Sequence, residues 1–343
     1  MKCKVCGKEK PIVSQELGVC LDCIRHRFGE SKLLIDEAHR RCREEHNLVV
    51  TPPKDRDGVP CDICVNQCTI GKGKFGFCGI QKNENGKLKD LGGATLNWHF
   101  ENMAQNFGID DKKTVKSLVI FFGACSFDCL FCHNWYFRDH LSQPNVVGAE
   151  ELALQVEEDT RQVFMHGGDP TPQITHAIDT ADQIIKNDKG RNITISFETN
   201  GAMNEAYAKK LADLSLSTGG SIKIDLKAFD PNLHYALTGI SNEWTLKNFK
   251  VVAKMQEQKG LHPILIASTP LIPGYIDAEE ITHIAKFIAK TDPAIPYILS
   301  AFYPQFYMYD LPATSKSMAH ECVKAAKSAG LLNVRLGNEH LLK

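Results

Sequence analysis

The run from Ser117 to Phe122, SLVIFF, is apolar, β-branched and aromatic, which predicts a buried strand. Gly123 breaks it, and the loop that follows carries Cys125, Cys129 and Cys132 in a C-x3-C-x2-C spacing. Such a chain must bury a strand and present three thiols at its carboxyl end. Three closely spaced thiolates on one loop can wrap a single cubane iron–sulfur cluster. They leave its fourth iron without a protein ligand, and an open position marks a catalytic metal site rather than a structural one.

Other readings compete for these residues. Cys129-Leu-Phe-Cys132-His133 also fits the C-x-x-C-H pattern of c-type haem attachment. That chemistry belongs to exported proteins, and the first residues, MKCKVCGKEK, are too polar for a signal peptide. A structural zinc site would want a fourth ligand, which His133 could supply only awkwardly from the position next to Cys132. Three unrelated buried cysteines would not be expected to fall at this spacing after a strand.

Further strand-like runs follow the cysteine loop, with helical stretches between them. Gln162–His166 ends in Gly167-Gly168-Asp169, Asn192–Phe197 in Glu198-Thr-Asn200-Gly, and Ser221–Lys227 contains Asp225 and Lys227. Pro263–Ser268 leads into Thr269-Pro-Leu-Ile-Pro-Gly274, and Tyr297–Phe302 and Asn333–Gly337 complete the series. Helices are expected over Ala149–Glu158, Thr175–Asn187, Ala206–Leu214, Leu246–Lys259 and Ser317–Ala329. The alternation predicts an α/β fold with a parallel sheet. The units are too few for a closed eight-fold barrel, so the expected form is a partial (β/α)6 TIM-like barrel. Polar and glycine motifs collect after its strands, where barrel enzymes keep their chemistry.

Nine of the chain's thirteen cysteines lie before this core. Cys3-x2-Cys6 and Cys20-x2-Cys23 are two knuckles that read as a closed four-thiolate site for zinc or a single iron. A structural role and a docking module for a partner are both open. Ser31–His46 reads as a helix with Leu33, Leu34, Ile35 and Ala38 on its apolar face, Cys42 a buried thiol and His46 a surface imidazole. A second set, Cys61, Cys64, Cys68 and Cys78, would also close a site, for zinc, a single iron or an auxiliary cluster. Within it Gly71-Lys-Gly-Lys-Phe-Gly76 matches G-x-G-x-x-G without the flanking strand and helix a dinucleotide site needs. Gly92-Gly93 and the polar stretch from Glu101 to Lys113 then lead into the core. The units expected are 1–50 with the first cysteine set, 51–112 with the second, and 113–343 as the core.

From Cys61 to the end the sequence resembles the radical S-adenosylmethionine (SAM) superfamily, on the Cys125 loop and the strand-end motifs together. The Cys132-His133-Asn134 continuation and the GGDPTP run look like the pyruvate formate-lyase activating enzymes and their uncharacterised relatives. The resemblance implies a [4Fe-4S] cluster whose open iron chelates SAM, and a 5′-deoxyadenosyl radical that abstracts hydrogen from a substrate. It implies that Phe131 packs beside adenine and that Gly167, Gly168 and Asp169 meet the SAM amino group. Glu198, Asn200, Asp225 and Lys227 would hold the ribose and methionine ends. An ion pair of Glu198 or Asp225 with Lys223 or Lys227 is the structural alternative. Two departures stand out: the strand-six stretch PYILSAFYP lacks the activases' histidine, and their ferredoxin-like insert is missing.

The expected substrate is a protein or peptide, and the expected electron donor is a flavodoxin- or ferredoxin-like protein. A cobalamin-using radical SAM methyltransferase is the alternative chemistry, although no D-x-H-x-x-G signature or spare span for a cobalamin domain is seen. A zinc-ribbon binding protein without catalysis is the rival from another class. The net charge of -1 argues against a broad nucleic-acid or polybasic membrane surface. No apolar run approaches the ~20 residues of a membrane span. Thirteen cysteines in an unexported chain fit metal ligation in the reducing cytoplasm.

Overall fold

A computed structural model describes residues 1–90, 95–104, 107, 114–141, 147–188, 190–259 and 264–343. Gly92, Gly93, much of the expected lead-in to Lys113 and Pro263 lie outside the described residues.

The amino-terminal part contains α1 (Leu21–His26) and α2 (Phe28–Glu45). Two small antiparallel pairs follow: β1 (Val59–Pro60) with β2 (Thr69–Ile70), and β3 (Gln81–Glu84) with β4 (Lys87–Asp90). The main sheet holds β5 (Thr95–Ala104), β6 (Thr114–Phe122), β7 (Gln162–Gly167), β8 (Thr194–Thr199), β9 (Ile222–Asp225), β10 (Leu265–Leu271), β11 (Tyr297–Ala301) and β12 (Val334–Gly337). Each strand pairs with its neighbour in sequence, and every pair from β6 to β12 is parallel. Right-handed crossovers in strictly sequential order put the helices on one face and curl the sheet around the other. The fold is the expected mixed α/β, partly closed barrel.

The covering helices are α3 (Phe137–His140), α4 (Ala149–Leu154), α5 (Ile174–Asn187), α6 (Glu205–Thr218), α7 (Pro231–Thr238), α8 (Glu243–Lys259), α9 (Ala278–Thr291) and α10 (Lys316–Ser328). Their starts follow capping chemistry. The side chains of Asn204, Asp230, Asp277 and Ser315 accept backbone N–H bonds at the first turns of α6, α7, α9 and α10. Pro231 also fixes φ at the start of α7.

Several boundaries differ from expectation for local reasons. The third parallel strand begins at Thr194 rather than Asn192, because Asn192 turns the chain with φ 55°. The helix expected over Ala149–Glu158 ends at Leu154. Strand β5, which pairs antiparallel to β6, falls where only a polar lead-in was expected. The 14-residue α9 was also missed, although Ile281, Ile284, Ala285 and Ile288 keep helical spacing behind the Asp277 cap. His46 is half-buried against Trp135 and Phe306 and pairs with Asp139 at 3.2 Å, so it is not a free surface imidazole.

The amino-terminal helices lie against the carboxyl-terminal half of the barrel. Ser14 N–H donates to Tyr275 Oη at 2.9 Å, and that hydroxyl donates to Val19 O at 3.1 Å. Arg25 forks onto Asp277 at 3.0 and 3.1 Å and reaches the buried Glu280 at 3.1 Å. Val13, Leu17, Ile24, Ile35 and Ala38 share one apolar core with the sheet.

Candidate metal centre and adjoining cavity

The carboxyl ends of β6 to β12 surround a cavity of about 420 Å³. Cys125, Cys129 and Cys132 form one wall. All eight further residues read as cofactor-binding also line it: Phe131, Gly167, Gly168, Asp169, Glu198, Asn200, Asp225 and Lys227. Sequence separation of a hundred residues is thus closed by the parallel register.

The cysteine loop is tied down at several points. Asp128 and Leu130 N–H groups donate to the Thr238 and Leu237 carbonyls at 2.9 and 3.1 Å. Asn200 Nδ2 donates to Ser126 Oγ at 2.9 Å and lies 3.8 Å from Cys125 Sγ, while Asn66 Nδ2 donates to Ser126 O at 2.8 Å. The Asp128 carboxylate is buried and faces His39 Nδ1 at 2.9 Å, Arg43 at 3.3 Å and Arg138 at 3.5 Å. Both Asp128 and Arg138 are thereby set by α2, α3 and the loop itself.

Burial pushes the Cys125 thiol well up and the Cys129 thiol to about 12. Bare thiols there stay protonated, so ligation must be driven by a cationic centre that offsets the lost proton. The donor set fits an iron–sulfur cluster with one open position, since no fourth cysteine lines the cavity among the described residues.

The two glycines after β7 have a definite steric task. A Cβ on Gly167 would meet Phe122 N at 2.5 Å, and one on Gly168 would meet Ala124 O at 2.4 Å. Gly167 also has φ +128°, which disfavours any side chain. Their bareness therefore lets β7 close on the base of the cysteine loop, an approach to backbone rather than to a ligand. Gly168→Ala should shift that loop and cost about 1–3 kcal/mol, the range for overpacking. Thermal unfolding of the reconstituted variant, with its iron content, measures both effects.

Asp169 turns its carboxylate into the sheet. It accepts from Thr171 N at 2.7 Å, Thr199 Oγ1 at 3.0 Å and Asn200 N at 2.6 Å. Burial outweighs these bonds and raises its pKa to about 6. Glu198 pairs with Lys223 at 2.7 Å. Asp225 pairs with Lys227 at 2.7 Å and accepts from Ser268 Oγ at 2.6 Å. Both acids thus make the ion pairs considered as the alternative, and both pairs still border the cavity. Burial opposes the charge on Lys227, but Asp225 and Cys129 raise its pKa overall.

Other cavity residues were given no SAM-binding role in the sequence analysis. His133 and His166 line it, and burial lowers the pKa of each. Ser268, Ser300, Tyr303 and Asn338 line it from the ends of β10 to β12. The cues were positional: His133 directly follows Cys132, and His166 directly precedes Gly167-Gly168 at a strand end.

The first amino-terminal cysteine set converges. The sulfurs of Cys3, Cys6, Cys20 and Cys23 all lie within 4.8 Å of one another, with Cys3 and Cys23 at 3.8 Å. Four ~2.3 Å bonds to one tetrahedral metal bring sulfurs to about this spacing. Backbone N–H groups around Cys3 offset its burial and lower its pKa, favouring the thiolate. Cys61, Cys64, Cys68 and Cys78 are all buried but do not form a second set this close among the described residues. The glycine-rich G-x-G-x-x-G match is simply the turn between β2 and β3. Among the described residues, no helix is long and apolar enough to cross a membrane.

A partial parallel barrel with three thiols after its first parallel strand defines a class, and residues 119–288 match the radical SAM superfamily. Over that span the chain is similar to the radical SAM superfamily enzymes. It is 24% identical over 293 residues to an uncharacterised protein of Methanocaldococcus jannaschii, covering 83% of this chain and 82% of that one. It is 25% identical over 191 residues to the pyruvate formate-lyase-activating enzyme of Streptococcus mutans, covering 52% and 67%. A solved domain of pyruvate-formate lyase-activating enzyme from Bacteroides vulgatus aligns with a TM-score of 0.42 at 23% identity, over 52% of this chain and 99% of that one.

Proposed function

We propose that this enzyme holds a [4Fe-4S] cluster on Cys125, Cys129 and Cys132 and takes SAM into the adjoining cavity to abstract hydrogen from a protein or peptide. The observation that carries the reading is the convergence of all eleven core candidates on one cavity. When bound, the cluster and SAM supply one-electron cleavage of a sulfonium and a hydrogen-abstracting radical.

The chain's own residues bind and orient. Phe131 offers a ring to the adenine, with Lys227 Nζ at 5.8 Å from its centroid. The carbonyl-rich Gly167-Gly168 segment faces the SAM ammonium, because the Asp169 carboxylate is already engaged. Asn200 links the loop to the end of β8, and Glu198, Asp225 and Lys227 give the ribose and methionine ends polar partners. The polypeptide substrate is inferred from the activating enzymes to which the chain is similar. A small flavodoxin- or ferredoxin-like protein is the electron donor in this reading, and the units 1–50, 51–112 and 113–343 are kept as its divisions.

Anaerobic reconstitution followed by dithionite and SAM tests the proposal, and 5′-deoxyadenosine above a cluster-free control is the expected product. Its absence would end the reading. At Cys3, Cys6, Cys20 and Cys23 we assign one zinc or iron ion. Elemental analysis of a Cys3→Ser, Cys20→Ser double variant should then show one metal fewer per chain with the iron at the Cys125 loop retained.

A further inference from the structure

Cys61, Cys64, Cys68 and Cys78 are a second thiol set that the cavity does not use. All four are free and 5–8% exposed, and none lines the space ringed by the strand ends. Backbone bonds gather them. Cys61 N–H donates to Cys68 O at 2.7 Å, which extends the β1–β2 pairing and sets the two residues side by side. Cys64 sits in the turn between them, where its carbonyl accepts from Gln67 N–H at 3.0 Å. Phe77 N–H donates to Cys68 Sγ at 3.4 Å, and this brings Cys78, the next residue, to the same knot of chain.

An amide donating to sulfur is a feature shared with both other cysteine sets. Cys20 N–H meets Cys3 Sγ and Phe127 N–H meets Cys125 Sγ, each at 3.4 Å. Such bonds favour the thiolate and orient a ligating sulfur. The segment also needs a tie. From Thr51 to Ile80 its only regular elements are β1 and β2, of two residues each. A stretch so poor in ladder bonds, with its thiols free, is the kind that a metal centre folds.

The spacing tells which centre. On one tetrahedral ion every thiolate neighbours every other, as in the first set, whose sulfurs lie within 4.8 Å of one another. No three of Cys61, Cys64, Cys68 and Cys78 come that close. On an iron–sulfur cluster the thiolates are divided among different irons and stand further apart.

We propose that Cys61, Cys64, Cys68 and Cys78 hold a second iron–sulfur cluster, closed by four thiolates and set behind the Cys125 loop. Its place follows from the packing. Cys78 shares a small apolar group with Ala124, the residue before Cys125, and Asn66 Nδ2 donates to Ser126 O at 2.8 Å. With four protein ligands it keeps no open iron for SAM.

The test uses the full chain with Cys125, Cys129 and Cys132 changed to alanine, reconstituted anaerobically. Iron and acid-labile sulfide should remain, about two or four of each per chain. Dithionite should then give an electron paramagnetic resonance signal that added SAM leaves unchanged. Adding Cys61→Ser and Cys68→Ser should remove that sulfide, while the Cys3 set keeps its ion. A single zinc or iron without sulfide at the second set would overturn the proposal, and so would no metal there. Sulfide that survives Cys61→Ser and Cys68→Ser would overturn it as well. Sulfide held by this set in a protein that makes no 5′-deoxyadenosine would instead sink the function proposed above and uphold the site.

Discussion

Protein with Cys125, Cys129 and Cys132 all changed to alanine is expected to bind about four fewer irons per chain and to release no 5′-deoxyadenosine. The expectation follows from the shape of the site. The three thiols form one wall of a cavity whose other lining residues, among those described, include no further cysteine. No neighbouring sulfur can therefore take over a lost position, and partial ligation by backbone or His133 would not hold a cubane. The Cys3, Cys6, Cys20 and Cys23 set lies on another element and should keep its metal, so iron and zinc analysis separates the two sites. Iron retained in the triple variant, with product still formed, would refute the assignment.

The second large effect concerns Asp128, between two of those cysteines. Asp128→Ala should destabilise the protein by roughly 3–5 kcal/mol, because it strands buried cations rather than deleting a balanced pair. Arg43 and Arg138 are only 2% and 1% exposed. Chemical denaturation of the variant measures the loss. The same network sets an acid limit. Burial alone would raise the Asp128 pKa, but His39, Arg43 and Arg138 together hold it well below the ordinary carboxylate range. A depressed carboxylate stabilises the fold above its unfolded pKa of ~3.9 and loses that contribution only as pH falls through the folded value. The Asp128 contribution should thus be full at neutral pH and fade only in strong acid, which unfolding curves against pH would reveal.

Much of this site could be read from the sequence because each part carries a local marker. Cys125-x3-Cys129-x2-Cys132 behind SLVIFF fixes a thiol loop at a strand end, and the glycine and acid motifs mark the next three strand ends. The parallel register then leaves them only one place to meet. What stayed hidden depends on distance in space. Asp128 reads as an ordinary loop acid until α2 brings His39 and Arg43 onto it. Asp169 reads as a ligand for an ammonium until the fold shows Thr199 and Asn200 bonded to it. The glycines after β7 announced a close approach but not its target, which is the Phe122–Ala124 backbone. Strand β5 escaped because TLNWHFENMA lies at a sheet edge and lacks a continuous apolar run.

The contacts of the first helices also dictate a timetable for assembly. Ser14, Arg25 and His39 find their partners at Tyr275, Asp277 and Asp128. A ribosome releases these helices well before Tyr275, which lies far downstream of them in chain order. The leading knuckles must therefore wait, and an ion captured by their four nearby sulfurs can keep them folded in the interval. Docking of that leading segment would then be a late event, sealing a thiol loop made long before.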